Sequence, residues 1–315
     1  PFLFSVYHLD HFPKGNGEMG PDESLLEGRS LGSDFNPNAE WRMYHGQTIP
    51  GFPFHPHCGF ETITIVNKGF CDHSDSLGAA GRFGKGDVQW MTAGRGVQHS
   101  EMFPLLKDDE ENTLELFQIW LNLPKAGKFV DPHFKMLWNE DIPIIEEEFA
   151  KIKVVAGTYK NVNPIDPAPD SWAANPENEV AVWNIHVDAD SEYTLPKANS
   201  SEVNRVLYFY EGDEIHIEDK KINPNFGIVL DPTQDVNIKI GSETAHFMML
   251  QGKPIGEPVA KYGPFVMNTQ EEIQKVMEEY RLTQFGGWPW PHPDNVHDKD
   301  RGRFALYPDG KLVEK

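Results

Sequence analysis

The sequence predicts an all-β protein built from two barrels, and three observations carry that expectation. Turn formers are dense, with 27 glycines and 25 prolines in 315 residues, and aromatics reach 12 %. Such a mixture suits short strands joined by turns better than long helices. Runs rich in β-branched residues, such as Glu61-Thr62-Ile63-Thr64-Ile65-Val66, stop at turn signals such as Asn67-Lys68-Gly69. Finally, Arg205-Val206-Leu207-Tyr208-Phe209-Tyr210-Glu211-Gly212 parallels residues 62–69, a degenerate internal repeat.

In order along the chain, Phe2 to His8 reads as a strand. A glycine-rich arm follows through Trp41, Tyr44 and His45, expected to pack over the first barrel. From 54 to 123 strand signals are dense: Val88-Gln89-Trp90-Met91, then Val97 to Met102 after the turn Gly94-Arg95-Gly96, then the buried run Leu114 to Leu123. No helical periodicity interrupts them, so a closed barrel or a sandwich is expected. Glu146-Glu147-Glu148 and the proline-rich passage 163–169 read as exposed or connecting segments. A second strand-rich block covers Val180 to Leu250. Its His246 lacks partners in the sequence and reads as packed or hydrogen-bonded. Asn268-Thr269 offers a helix N-cap, Glu271 and Glu272 fall in the first turn, and Ile273, Val276, Met277 and Tyr280 share an apolar face. The stiff tail Trp288-Pro289-Trp290-Pro291 is expected to wrap back onto the body. The domain expectation is therefore a metal-binding barrel at 1–140, a linker and edge segment at 141–180, a metal-free barrel at 181–262, and a helix with a wrapping tail at 263–315.

A net charge of −21 disfavours direct binding to nucleic acid or to an anionic membrane surface. No apolar run reaches membrane-spanning length. The opening Pro1-Phe2-Leu3-Phe4-Ser5-Val6-Tyr7 lacks a basic lead and does not read as a signal peptide. Two cysteines, Cys58 and Cys71, make no disulfide framework, so a reducing, cytoplasmic setting is expected.

The chemistry concentrates in Phe54-His55-Pro56-His57-Cys58-Gly59-Phe60-Glu61 and in His99-Ser100-Glu101. Side chains two apart on a strand project to one face. His55 and His57 therefore point together, as do His99 and Glu101. Either pair alone could simply be polar side chains facing water. If the two strands face one interior, three imidazoles and a carboxylate converge on a divalent transition metal such as Fe, Mn, Cu, Ni or Zn. A structural zinc site would more often use cysteines in a closed tetrahedron. The set therefore points to chemistry or sensing. Phe52, Phe54, Phe60 and Trp90 are candidate pocket walls, and Glu61 is a candidate acceptor orienting a ligand imidazole.

At these residues the chain resembles the pirin family of the cupin superfamily. The motifs are His55-Pro56-His57-Cys58-Gly59-Phe60-Glu61-Thr62, residues 86–102 from Gly86-Asp87-Val88 to His99-Ser100-Glu101-Met102, and Gly263-Pro264-Phe265-Val266-Met267-Asn268-Thr269. The tail Phe285-Gly286-Gly287-Trp288-Pro289-Trp290-Pro291 is similar to that of bacterial members. The resemblance implies two stacked cupin barrels with metal only in the first, held by His55, His57, His99 and Glu101. It implies iron as Fe(II) or Fe(III), with Mn, Cu, Ni, Co or Zn as alternatives, and a site similar to that of quercetin 2,3-dioxygenases. There a flavonol-like substrate and dioxygen would meet, Glu101 would serve as ligand or as general base toward the flavonol hydroxyl, and the ring would open with loss of carbon monoxide. The rival implication is a regulatory protein that responds to iron redox state and binds a transcription factor or metabolic enzyme. Where family members commonly carry arginine after the second histidine, this chain has Cys58. That residue is a candidate redox thiol, although no lysine or arginine adjoins it to favour a thiolate, and a packed small side chain is the plainer expectation.

Overall fold

Strands dominate, as the turn density and β-branched runs predict, and a single α-helix of 14 residues is present. The computed structural model describes residues 1–315. They divide into two units, residues 3–139 with 257–315, and residues 1–2 with 140–256.

The first unit contains β1 (Phe2–Phe12), β2 (Gly51–His57), β3 (Phe60–Lys68), β4 (Phe70–Asp75) and β5 (Ala80–Gly84). It continues with β6 (Val88–Thr92), β7 (Val97–Met102), β8 (Asn112–Asn122) and β9 (His133–Leu137). They form two sheets, β1-β8-β3-β6-β9 and β2-β7-β4-β5. β3 is buried along nearly its whole length because both of its faces are covered, which is why it reads as a continuous β-branched run. β8 matches the apolar run expected at 114–123, and Leu114 and Leu116 enter a core with Phe83, Phe103 and Phe134.

The second unit supplies β10 (Ile144–Glu146), β11 (Ala150–Ala156), β12 (Ala181–Val187), β13 (Glu192–Leu195) and β14 (Asn204–Glu211). After these come β15 (Ile215–Ile217), β16 (Lys220–Ile222), β17 (Phe226–Leu230), β18 (Val236–Ile240) and β19 (Ala245–Gly252). Its sheets are β10-β11-β12-β19-β14-β17 and β13-β18-β15-β16. Its central strands repeat the first unit's pattern: β14 sits between β19 and β17 as β3 sits between β8 and β6. Residues 141–180, expected as linker and edge, also contribute core. β11 pairs along β12, and Ile152 and Val154 join the cluster of Trp183, Ile185, Phe209 and Phe247. The proline-rich passage obscured these strands because its turn signals lie immediately downstream. His246 faces His186 across β12 and β19 with ring centroids 4.2 Å apart, a packed histidine as expected.

The remaining chain belongs to the first unit. β20 (Ala260–Tyr262) and β21 (Phe265–Met267) form a ribbon, and α1 (Gln270–Thr283) follows. Thr269 and Glu272 close a capping box that satisfies backbone donors at both positions. Ile273 and Val276 pack on Cys58, Phe265 and Met267. Beyond the helix come β22 (Phe304–Leu306), which extends the second sheet beside β5, and β23 (Leu312–Glu314). The segment between them and α1 wraps the barrel. Trp288 stacks on Phe54 at 5.1 Å and 23°, Trp290 Nε1 donates to the Asp75 carbonyl at 2.8 Å, and the Pro293 carbonyl accepts from Phe54 N at 2.8 Å. Arg82 fastens this wrap. Its guanidinium grips Asp72 through two 2.7 Å bonds and donates to the carbonyls of His297, Asp298, Lys299 and Arg301. No helix is long and apolar enough to cross a membrane.

Candidate metal centre

β2 and β7 run antiparallel with His55 opposite His99 and Phe52 opposite Glu101, and the register shifts between Phe52 and His55. The close approach begins at Gly51, whose φ is +135°, where a Cβ would lie 2.5 Å from the Glu101 carbonyl oxygen. Paired residues share a face, so His55, His57 and His99 converge. Their ligand atoms all lie within 4.8 Å of one another, and their ring centroids are 4.5 to 4.8 Å apart. His57 and His99 are buried, while His55 is half-buried at the rim.

The rings are prepared for a cation. His55 Nδ1–H donates to the Pro53 carbonyl at 2.9 Å, which leaves Nε2 as its free lone pair. Neither nitrogen of His57 or His99 has a hydrogen-bond partner. The Pro264 carbonyl favours a proton on His57 without completing a hydrogen bond to it. Burial is the main force holding all three rings below the usual histidine range, well below it for His57 and His99, and each neighbouring imidazole opposes a charge on the next. Four buried nitrogens without partners are costly in an empty protein interior, and they fit a metal that takes neutral imidazoles.

Glu101 is buried beside them, its Oε2 3.8 Å from His99 Nε2. Two residues that the sequence did not single out hold it. Thr64 Oγ1 donates to Oε1 at 3.0 Å and Gln118 Nε2 donates to Oε2 at 2.5 Å, while Trp120 Nε1 in turn donates to Gln118 Oε1 at 3.3 Å. Thr64 and Gln118 are cross-strand partners on β3 and β8. Their signal was present as polar residues on one parity of otherwise apolar strands. His73 on β4 was also missed. It lies opposite Glu101, its ring 5.5 Å from that of His99, with Nε2 against Asp75 Oδ2 at 3.2 Å and Phe134 stacked on it.

The expected neighbours separate by strand parity. Phe60 shares the parity of Thr64 and meets His57 at 5.1 Å, beside Trp120 at 4.4 Å. Phe52 lies 6.3 Å from His55 within a cluster of Tyr44, His45 and Phe103. Phe54 faces the wrapping tail through Trp288. Glu61 and Trp90 fall on the opposite face of β3 and β6 from Thr64, because Trp90 pairs with Ile63 and Glu61 with Thr92. Glu61 Oε1 accepts from Trp90 Nε1 at 3.1 Å and from Thr92 Oγ1 at 2.8 Å, so it anchors that outer face and does not reach a ligand imidazole. Cys58 is fully buried, its thiol donates to the Gly94 carbonyl at 3.3 Å, and burial pushes its pKa up to about 12. A thiol so placed stays protonated, which fits a packed side chain and not a reactive one.

The pirin family profile matches residues 26–121, and the pirin C-terminal cupin domain matches residues 182–286. Pirin-1 of Arabidopsis thaliana is 35 % identical over 242 residues, covering 75 % of this chain and 78 % of that protein. A Pseudomonas aeruginosa protein carrying a provisional quercetin 2,3-dioxygenase name is 34 % identical over 282 residues, covering 85 % of this chain and 93 % of that protein. Among solved structures, a quercetin 2,3-dioxygenase from Acinetobacter baumannii superposes with a TM-score of 0.70 at 27 % identity, covering 91 % of this chain and 86 % of that one. With both family profiles matched and relatives of this similarity, the chain belongs to the pirin family and has the cupin fold.

Proposed function

We propose that this pirin is an iron-dependent dioxygenase that opens the ring of a flavonol-like substrate. The observation that carries the reading is the convergence of three imidazoles, two of which, His57 and His99, have no protein partner at either buried nitrogen. His55, His57 and His99 would hold the metal, with Glu101 as a fourth ligand. Iron is the first choice, and Mn, Cu, Ni, Co or Zn are the alternatives for an N/O set of this kind. Bound there, the metal would supply open positions for dioxygen and for the substrate oxygen.

The protein residues divide the remaining work. Thr64 and Gln118 fix the Glu101 carboxylate by one hydrogen bond to each oxygen, so its orientation is set before substrate arrives. From that position Glu101 accepts the proton of the substrate hydroxyl as a general base. The Pro53 carbonyl fixes the tautomer of His55. Phe60 and Trp120 line His57 and exclude water from the inner side of the cluster. A cytoplasmic setting belongs to the same proposal and rests on two free thiols.

The test is reconstitution with Fe(II) followed by quercetin in air, reading loss of the flavonol absorbance together with carbon monoxide. Turnover that disappears in His99→Ala supports the enzyme. Absence of turnover with every first-row metal overturns it in favour of a redox-responsive regulatory protein, for which the charge of −21 would suit a basic partner face.

A further inference from the structure

β1 supplies a wall beside the histidine cluster, and one of its side chains is held in a way that packing alone does not require. Phe4 and His8 lie four residues apart on this strand and so share a face. Phe4 meets Trp120 with ring centroids 5.3 Å apart, and Trp120 meets His57 at 5.4 Å. His8 meets Phe52 at 6.3 Å, and Phe52 meets His55 at 6.3 Å. Phe52 is paired with Glu101 across β2 and β7 and shares its face. One phenylalanine is thus the common neighbour of His8 and of His55, and both imidazoles are half-buried.

The His8 ring is oriented from behind. Tyr44 Oη lies 2.8 Å from His8 Nδ1 and donates to Asp10 Oδ2 at 2.6 Å, while Arg42 Nη1 donates to Asp10 Oδ1 at 2.9 Å. Asp10 is fully buried and Tyr44 is 1 % exposed. Burial works against the Asp10 charge, and the bonds from Tyr44 and Arg42 favour it. A phenol has one proton to give, and here it goes to Asp10. The phenol oxygen can therefore only accept from the imidazole, which fixes the His8 proton on Nδ1. Nε2 is left with a lone pair and no protein partner, on the open side of a half-buried ring. Burial, and then Arg42, hold the His8 pKa down to about 4, so no proton caps that lone pair at neutral pH.

We propose that His8 Nε2 is a specificity-determining acceptor for a second hydroxyl of the aromatic substrate, carried on a ring away from the oxygen that faces the histidine cluster. The assignment rests on the flavonol reading of that cluster and specifies which flavonols it takes. A ligand laid along Phe52 reaches towards His55 at one end and His8 at the other. The class selected is a polyhydroxylated flavonol over one with a single hydroxyl. An acceptor fixed in this way discriminates because a ligand without the donor displaces water from it and returns nothing. An anion gains nothing at this position, since it meets a lone pair and not a proton.

The experiment uses the full chain loaded with Zn(II) under argon, so that binding is read without turnover. Quercetin is compared with 3-hydroxyflavone, which keeps the hydroxyl beside the carbonyl and has no other, and Kd is followed by quenching of tryptophan fluorescence. The readout is the ratio of the two Kd values, in which the different hydrophobicities of the ligands cancel between proteins. His8→Phe should weaken quercetin by about 3- to 10-fold, the range for one neutral hydrogen bond, and leave 3-hydroxyflavone unchanged. Tyr44→Phe keeps the imidazole but releases its tautomer, and it should lose part of the same preference. That variant also carries the test should His8→Phe fold poorly. The proposal is overturned, with the flavonol reading intact, if both ligands bind the wild type and the ratio is unchanged in the variants. It is equally overturned if His8→Phe weakens both ligands alike, the mark of a packing role. If neither flavonol binds the wild-type protein, the flavonol reading falls and this assignment with it.

Discussion

Acidifying the metal-free protein should expose the histidine cluster as a pH-dependent load on folding. The folded state keeps His57 and His99 neutral, since burial depresses both pKa values well below the ordinary histidine value and the neighbouring imidazoles oppose a charge on either ring. The unfolded chain protonates each near pH 6.5. Below that value the unfolded state binds more protons, so stability is full above about pH 6.5 and falls as pH drops. Going from about pH 7 to about pH 5.5, each ring that stays neutral removes about 1.2 kcal/mol, or about 2.5 kcal/mol for the two. The comparison is urea unfolding of chelator-treated wild type and of His57→Gln/His99→Gln at both pH values. His8, held down to about 4 chiefly by burial, and His297, also lowered, add to the pH dependence of both proteins and cancel in the difference, while His55, lowered too, loses both neighbouring imidazoles in the variant and can only add to the wild-type excess. Wild type should lose about 2.5 kcal/mol more than the double variant on acidification. A difference under about 0.5 kcal/mol, or a wild type that gains stability with acid, would refute the reasoning that these rings are buried and unpartnered.

Three further outcomes follow from the geometry. Thr64→Val combined with Gln118→Leu removes both donors to Glu101 and should weaken metal affinity by about 10- to 100-fold, read by competition with a chromogenic chelator. Arg82→Met strands the buried Asp72 carboxylate and several tail carbonyls, so it should cost about 3–5 kcal/mol and lower Tm by roughly 10 °C in calorimetry. Asp72→Leu added to it should recover much of that loss. Cys58 and Cys71 are both fully buried and free, so a thiol reagent should label neither in the native protein and both after guanidinium unfolding. Rapid native labelling of Cys58 would restore it as a redox candidate.

The convergence of His55, His57 and His99, with Glu101 beside them, was legible because a two-residue alternation on a strand needs no knowledge of its partner. The cap of α1 was legible for a similar reason, since Thr269 and Glu272 are three residues apart and act locally. What lay beyond reach was register. Thr64 and Gln118 meet Glu101 only because β3 and β8 are aligned and then set against β7, three segments far apart in sequence. Register also decides why Trp90 and Glu61 leave the site. Both residues invite a functional reading by type, yet their parity turns them to the outer face. Arg82 was invisible for another reason. Its partners are largely carbonyls of the tail, and backbone acceptors leave no mark on residue identity.

The first unit is split in the chain, since residues 257–315 complete what residues 3–139 begin. During synthesis the intervening unit, whose strands lie between 140 and 256, leaves the ribosome whole before the wrapping segment exists. At about 5–20 residues per second, the early barrel waits several seconds or more for the tryptophans and for the carbonyls that Arg82 gathers. A nascent chain stalled near residue 256 would therefore carry all three histidines while Phe54 lacked its Trp288 partner and Arg82 lacked its carbonyls.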